Sequence, residues 1–488
     1  MVALAVHART IGFGFTGLDD SDLVVGDQAF LANPASLLHV LGRSYLHVVD
    51  PAHAYWRPLV TASYILDAQW SAAHPWAYHA TNVVLHAVAS VLVLTLLRRL
   101  ILGRTVALLG ALAFAVHPAL APAVAWIPGR NDSLLAVTVL ASWLLLLRRT
   151  RVADAAHLGF FALALMAKET SLVFPVLWAM QLSGTSSRSR RSWRGRLGLA
   201  AAWGCLVAAR FVAHPGVPHS TPGELLAGVP LFAVAVGQLV LPLKPVVLAV
   251  TGDLSVVPGL LAAALLGLAT WRLRRVRRWV VGFGALVFLL SIAPAVAVPG
   301  TLVLDHRLEL PAVGVLVVVG ELVRAAAGRN TRTLVAFGGV VVSALALVTM
   351  AFESAYRDPV AFAREAVAGS PRSPLAHFCL GQVEQRAGHD DQALAEYGTA
   401  LTLGPAEVVH NDIAVIAMKR GEWPEAEREL HEELALNPGY ATAQYNLAIV
   451  LRHEGRAAEA CEAVKAALRG SLEDDARATG ERDLDCPP

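Results

Sequence analysis

Up to about residue 352 the chain is a succession of apolar runs of roughly 15–25 residues, separated by clusters of arginine. A run of that length is what a helix needs to cross a hydrocarbon core about 30 Å thick, since each residue adds about 1.5 Å. Beyond that point Glu and Asp become frequent and no long apolar run remains, which divides the chain into a membrane part and a water-soluble part. A mean hydropathy of +0.53 with 16% charged residues excludes a soluble enzyme of 488 residues.

The apolar stretches are read at 79–97, 105–127, 133–147, 155–182 (two short helices hinged near Lys168), 197–212, 226–250, 256–271, 279–298, 308–323 and 334–352. Between them lie five basic clusters: Arg98/Arg99/Arg104, Arg148/Arg149/Arg151, Arg188 to Arg196, Arg272 to Arg278 and Arg324 to Arg332. The positive-inside rule places all five in the cytoplasm, so neighbouring clusters must be separated by an even number of crossings. The count is even everywhere except across 197–271, which holds three stretches. Pro242 and Pro245 interrupt the middle one, so 226–250 is read either as re-entrant or as part of a pair with a crossing not recognised. Segment 1–78, the turn 128–132, the hinge 168–169, the loop 299–307 and everything after 352 then share the non-cytoplasmic side.

The basic clusters alternate with apolar runs instead of forming one soluble face, so no nucleic-acid partner is expected. Four scattered cysteines without a CxxC support neither a metal knuckle nor a disulfide framework, and Cys379 and Cys461 are read as small buried side chains in repeat helices. Arg outnumbers Lys 36 to 4, and Ala, Leu and Val dominate, which points to a GC-rich bacterial genome. The expected setting is the bacterial inner membrane, with the outward side in the periplasm.

Residues 374–407, 407–440 and 441–474 align at a 33–34-residue period. Gly388, Gly421 and Gly455 recur at one phase, Ala393, Ala426 and Ala460 at another, and Pro405 and Pro438 close the first two units. This is the pattern of TPR helix pairs, with a partial unit before them. Stacked repeats form a groove that takes peptide, or else serve as a rigid spacer. The expected organisation is a non-cytoplasmic N-terminal loop region 1–78 with the acidic pair, a polytopic transmembrane core 79–352, repeats over 353–474 and an acidic, disordered tail 475–488. The fold class is all-α, a multi-span helical core followed by a TPR solenoid.

Charges near the hydrocarbon are costly and mark candidate sites. Asp19 and Asp20 form an acidic pair, where a carboxylate takes a proton from a hydroxyl, holds a cation, or belongs to a solvated turn. His79, Asn82 and His86 share a helix face at i, i+3, i+7, read as lining a cavity; a metal site there lacks a fourth ligand at helical spacing. Lys168 and Glu169 either neutralise each other or present a cation to an anion. Arg57, Arg130, Lys168 and Arg307, all outward-facing, form a candidate phosphate-holding set, with Asp132 and His306 beside them.

The stretches LDD (18–20), YWRPLVTASYILD (55–67), YHATNVVLH (78–86), FAVHP (114–118), AVAWIPGRND (123–132), MAKET (166–170) and HRLELPAVG (306–314), with the repeats, resemble the GT-C polytopic glycosyltransferases that carry C-terminal TPRs. The animal members of that group are protein O-mannosyltransferases using dolichyl-phosphate mannose. The resemblance implies a sugar donor on a polyprenyl or dolichyl phosphate, reached from the membrane lipid, and an acceptor at the outer face. Asp19 or Asp20 takes the place of the catalytic base, with inversion at the sugar, and His117 falls in the family's histidine–proline stretch. The cations hold the departing phosphate, and the TPRs hold the acceptor protein. Metal dependence stays open, a divalent cation being the one cofactor considered. Pro122 stands where the family has glutamate, Glu309 where it has tyrosine, and Asp305 where it has glutamate. Only 18 residues precede Asp19, so a first helix is either absent or encoded upstream. The alternative is a non-catalytic, membrane-anchored TPR scaffold for envelope assembly.

Overall fold

The computed structural model describes residues 1–45, 55–100, 103–148, 150–183, 193–213, 221–241, 246–296, 302–303, 305–327, 331–404 and 408–469. These residues are almost wholly helical, interrupted by two two-residue strands, Ala249–Val250 and Leu302–Val303. The chain forms two compact units, one spanning Met1–Val247 and Leu254–Ala361, the other Leu248–Asp253 and the chain from Phe362 onward.

In the first unit, Pro75–Arg99, Arg278–Val296, Glu309–Ala327 and Thr331–Tyr356 are long and apolar enough to cross a bilayer. A fifth crossing is formed if Arg104–Ala115 and Pro118–Ala125 count as one, bent by 51°. The bend has a local cause: Pro118 lacks an N–H and forces His117 into extended backbone at ψ 125°. Among the described residues, Glu169–Met180, Leu197–Val212, Leu225–Val240 and Val257–Arg272 are shorter apolar helices. Lys168, extended at φ −163° and ψ 144°, separates Arg151–Ala167 from the turn Glu169–Val173 and the helix Phe174–Ser183, the hinge read from the sequence. The region 1–78 is not simply a loop. It holds a short helix Val2–His7 and a longer one, Pro58–Ser71, with Pro at its first turn. Val60, Tyr64, Ile65 and Ala68 form the buried stripe of the latter, at helical spacing that the interleaved polar residues obscure. Pro242 and Pro245, on which the re-entrant reading of 226–250 rests, lie outside the described residues, as do Arg188, Arg190 and Arg191.

Small residues set how closely the core helices approach. A Cβ on Gly259 would lie 1.7 Å from the Ala233 carbonyl oxygen, and one on Gly314 would lie 2.4 Å from the Phe288 nitrogen. Two basic clusters meet on one fully buried carboxylate: Arg277 and Arg324 each place Nη2 2.6 Å from Glu321. Clusters on either side of the Arg278–Val296 and Glu309–Ala327 hairpin therefore end at the same place, as two crossings between them require.

In the second unit, the helices Pro374–Arg386 and Asp390–Leu403, Val409–Arg420 and Trp423–Leu436, and Ala441–His453 and Ala457–Arg469 form three packed pairs. Pro359–Gly369 precedes them. Gly388, Gly421 and Gly455 sit between the paired helices at φ between +76° and +81°, the left-handed conformation that ends a helix and favours glycine. Ala393, Ala426 and Ala460 are buried where the paired helices touch. Pro438 follows the Trp423–Leu436 helix, while Pro405 lies outside the described residues. Cys379 is buried and free, whereas Cys461 is disulfide-bonded, correcting its reading as a plain core side chain. Spacing along a chain does not reveal which cysteines come within bonding distance.

Gly314→Ala should lower stability by about 1–3 kcal/mol through overpacking. Gly282→Ala, in the helix packed against it and with nothing within 4 Å of the added methyl, should leave stability unchanged. Thermal unfolding in detergent compares the two, and equal melting would contradict close packing at Gly314.

Candidate active site

The acidic pair separates into two different carboxylates. Gly17, at φ +81°, turns the chain back so that the carboxylate of Asp20 accepts from the backbone N–H of Thr16 at 2.6 Å and of Gly17 at 3.1 Å. The Thr16 hydroxyl adds a donor at 3.0 Å, and Asp20 is completely buried. Its oxygens are spoken for. Asp19, by contrast, is half-buried, and its carboxylate has no side-chain hydrogen bond or ion pair among the described residues. Burial, then repulsion from Asp20 and Asp22, pushes the Asp19 carboxyl up to about 7, while the Arg57 charge pulls the other way. Burial also raises Asp20, to about 6, with the hydrogen bonds from Thr16 and Gly17 opposing it.

Arg57, just before the Pro58–Ser71 helix, donates from Nη2 to Glu169 at 3.0 Å and lies over the rings of Tyr45 and Tyr55 at 5.1 and 5.0 Å. Lys168 donates to Asp132 at 2.6 Å and to Asn131 at 3.1 Å. The two residues of the Lys168–Glu169 hinge therefore do not neutralise each other; each pairs with a different segment. Arg307 reaches the Ala295 carbonyl at 3.4 Å, and the charges of Asp132, Arg57 and Glu169 all act on it. The buried Nε–H groups of Arg57 and Arg307 have no acceptor among the described residues. Arg210 extends the cluster, with its guanidinium 4.8 Å from the Trp56 ring and under the charges of Glu169 and Arg57. Four cations (Arg57, Lys168, Arg210, Arg307) thus meet two carboxylates, Asp132 and Glu169.

Arg130 does not belong to that open set. It is completely buried: Nη1 lies 2.5 Å from Asp67, Nη2 donates to the Tyr78 carbonyl at 2.6 Å, and Nε donates to Asn82 at 2.8 Å. Nη1 also donates to Ser63 at 3.0 Å, and the guanidinium lies 4.6 Å from the Tyr64 ring. Nor do His79, Asn82 and His86 line a cavity; all three are fully buried. His79 donates to the Gly14 carbonyl at 3.2 Å, and Asn82 donates to the Trp126 carbonyl at 3.1 Å. His86 lies 2.7 Å from Glu309 and stacks on Phe114. His117 accepts from the Ala119 N–H at 3.2 Å and donates to the Leu239 carbonyl at 3.2 Å. These side chains bond to buried carbonyls, to Arg130 and to Glu309 inside the bundle, while His79 Nδ1, His86 Nε2 and Glu309 Oε2 are buried without a partner among the described residues. The side chain of His306 lies outside the described residues. Among the described residues no group of three or more His, Cys, Asp or Glu side chains is arranged to hold a metal ion.

Arg210 and Tyr45 were not among the sequence-based candidates. Arg210 left one signal, a lone arginine inside the apolar stretch 197–212. In the repeat unit, a cavity of about 460 Å³ is lined by Leu394, Ile413, Ile416, Ala417 and Pro424, with Glu422 and Glu425 beside them.

Arg130→Met should cost about 3–5 kcal/mol, since it leaves Asp67 and Asn82 buried without their partner. Arg57→Gln should cost far less, which denaturation in matched detergent will measure. Equal losses would remove the distinction drawn between the two arginines.

No protein-family model matches the chain. Among curated proteins it is similar to the protein O-mannosyl-transferase Tmtc1 of Drosophila melanogaster, 33% identical over 146 residues, covering 29% of this chain and 17% of that one. Tmtc2 of the same organism is 32% identical over 182 residues, 34% of this chain and 19% of the other. TMTC3 of Mus musculus is 39% identical over 95 residues, 20% and 10% respectively. The matched part spans less than a fifth of the length of each of these relatives. Over up to a third of its own length, then, this all-α membrane chain with its helical repeats is similar in sequence to the TMTC protein O-mannosyl-transferases.

Proposed function

We propose that this protein is a membrane glycosyltransferase that moves a sugar, mannose by analogy with its relatives, from a polyprenyl-phosphate donor to a protein hydroxyl on the non-cytoplasmic side. One observation carries the reading: a cluster with more cations than carboxylates, holding two buried guanidinium N–H groups without acceptors, lies within electrostatic reach of the half-buried Asp19. A phosphate supplies what those N–H groups lack, and it is the group that gains charge as the bond to the sugar breaks.

In this mechanism the acceptor hydroxyl attacks the anomeric carbon while its proton passes to the Asp19 carboxylate. The bond between that carbon and the phosphate oxygen breaks, with inversion. The polyprenyl phosphate leaves against Arg57, Lys168 and Arg307, with Arg210 beside them. No acid is required, because a phosphate leaves as a stable anion. Asp20 positions its neighbour by fixing the turn at Thr16 and Gly17. Arg130, Asn82 and His79 brace the helices from which Lys168, Asp132 and the Asp19 turn project.

The names of the relatives support mannose as sugar and protein as acceptor. The positive-inside pattern supports the outward placement. The disulfide at Cys461 is in keeping with repeats in an oxidising compartment, the periplasm if the host is bacterial. The apolar cavity of the repeats is suited to a side chain of the acceptor protein.

Transfer from a labelled polyprenyl-phosphate mannose in proteoliposomes should fall at least about a hundredfold in Asp19→Asn, the loss expected when a general base is removed. Asp20→Asn keeps an acceptor for the Thr16 and Gly17 amides and should retain measurable transfer. Because the base must be ionised, and its carboxyl is raised to about 7, the rate should decline as pH falls below about 7, close to tenfold per unit. Full transfer by Asp19→Asn, or a decline that begins only near pH 4, would refute the assignment.

A further inference from the structure

In the turn between the helices Val257–Arg272 and Arg278–Val296, five arginines fall within seven residues: Arg272, Arg274, Arg275, Arg277 and Arg278. No acidic residue occurs anywhere between Asp253 and Asp305. One of the five is neutralised. The carboxylate of Glu321 accepts the Arg277 backbone N–H at 2.7 Å and its Nη2 at 2.6 Å, and also takes Arg324 at 2.6 Å. Arg324 donates in addition to the Arg275 carbonyl at 2.8 Å.

The turn is thus pinned at two points, at Arg277 by the buried Glu321 carboxylate and at the Arg275 carbonyl by Arg324, which the same carboxylate holds. Arg272, Arg274, Arg275 and Arg278 remain exposed, and none has an ion pair among the described residues. Trp271 and Trp279, 67% and 63% exposed, flank them, and the Arg272 guanidinium lies 5.1 Å from the Trp271 ring. Exposed tryptophans at the ends of apolar helices settle at the level of lipid headgroups. A charge that served topology alone would need no fixed geometry. Here four exposed arginines lie on a braced turn between two exposed tryptophans, and none of the four is paired with a carboxylate among the described residues.

We propose that the Trp271–Trp279 turn is a binding site for the phosphate headgroup of an anionic phospholipid of the surrounding leaflet. The unpaired arginines supply the charge and the bidentate donors, and the two indoles hold the turn at the interface. Such a site would tie the activity of the membrane core to the anionic lipid content of its leaflet. It stands whether or not the protein transfers a sugar.

The test uses the full chain in neutral detergent, titrated with dansyl-labelled phosphatidylglycerol and read by energy transfer from tryptophan. Phosphatidylcholine with the same label is the neutral comparison. The fourfold variant Arg272→Gln/Arg274→Gln/Arg275→Gln/Arg278→Gln should bind phosphatidylglycerol at least about a hundredfold more weakly, at roughly fivefold per charge removed. The corresponding Lys variants should stay within about tenfold of the parent. Trp271→Phe/Trp279→Phe should reduce the transfer signal without abolishing binding. Unchanged affinity in the Gln variant overturns the proposal, as does equal affinity for phosphatidylcholine. Displacement of the lipid by millimolar inorganic phosphate overturns it too, since that marks a plain anion site. Should the Gln variant fail to fold, ionic strength decides on the parent protein: binding must weaken with salt, and salt-independent binding overturns the site.

Discussion

A guanidinium with no exposed surface stays charged inside a helix bundle only if its N–H groups find acceptors, because the alternative is an unpaired charge in a medium of low dielectric. Arg130 meets that demand by drawing in Asp67, Ser63, Asn82 and the Tyr78 carbonyl, with the Tyr64 ring against its plane. Each partner lies on the Pro58–Ser71 or the Pro75–Arg99 helix, so one side chain joins both to the start of Arg130–Leu146. That junction fixes Asn131 and Asp132, which in turn receive Lys168. Remove Arg130, and the segments that carry Arg57, Asp132 and Lys168 lose their common reference.

The contrast between Arg130 and its neighbours is one of satisfaction. Arg130 has its donors occupied, whereas the Nε–H groups of Arg57 and Arg307 are buried with nothing among the described residues to accept them. An unsatisfied buried donor costs about 1–3 kcal/mol, so a fold that keeps two in one cluster gains when an anion arrives there. The same logic separates the two aspartates. Asp20 commits its oxygens to two backbone amides and a hydroxyl, whereas Asp19 meets only its own backbone amide.

Elsewhere in the membrane unit, steric fit stands in for the hydrophobic effect, which gives helices in lipid little reason to associate. Gly259 and Gly314 let backbones touch where any side chain would collide. Glu321 gathers two arginine clusters onto a single carboxylate, while Arg272, Arg274, Arg275 and Arg278 have no ion pair among the described residues.

The amino-acid sequence alone determined that the chain enters a membrane, because run length against bilayer thickness is one-dimensional information. It determined the repeats for the same reason: Gly388, Gly421 and Gly455 recur at the period where the backbone needs a left-handed residue. The hinge at Lys168 was legible too, as a charged pair inside an apolar stretch. What only the tertiary structure decided is which polar residue faces which. His79, Asn82 and His86 have the types and spacing of a binding face, yet in the interior they meet the Gly14 carbonyl, Arg130 and Glu309. Arg210, hidden in an apolar run, joins the cation cluster instead. Periodicity fixes the direction of a side chain about its own helix but not the partner it meets across the bundle. That partner is set by hydrogen bonds between segments far apart in the chain, such as His86 with Glu309, 223 residues apart.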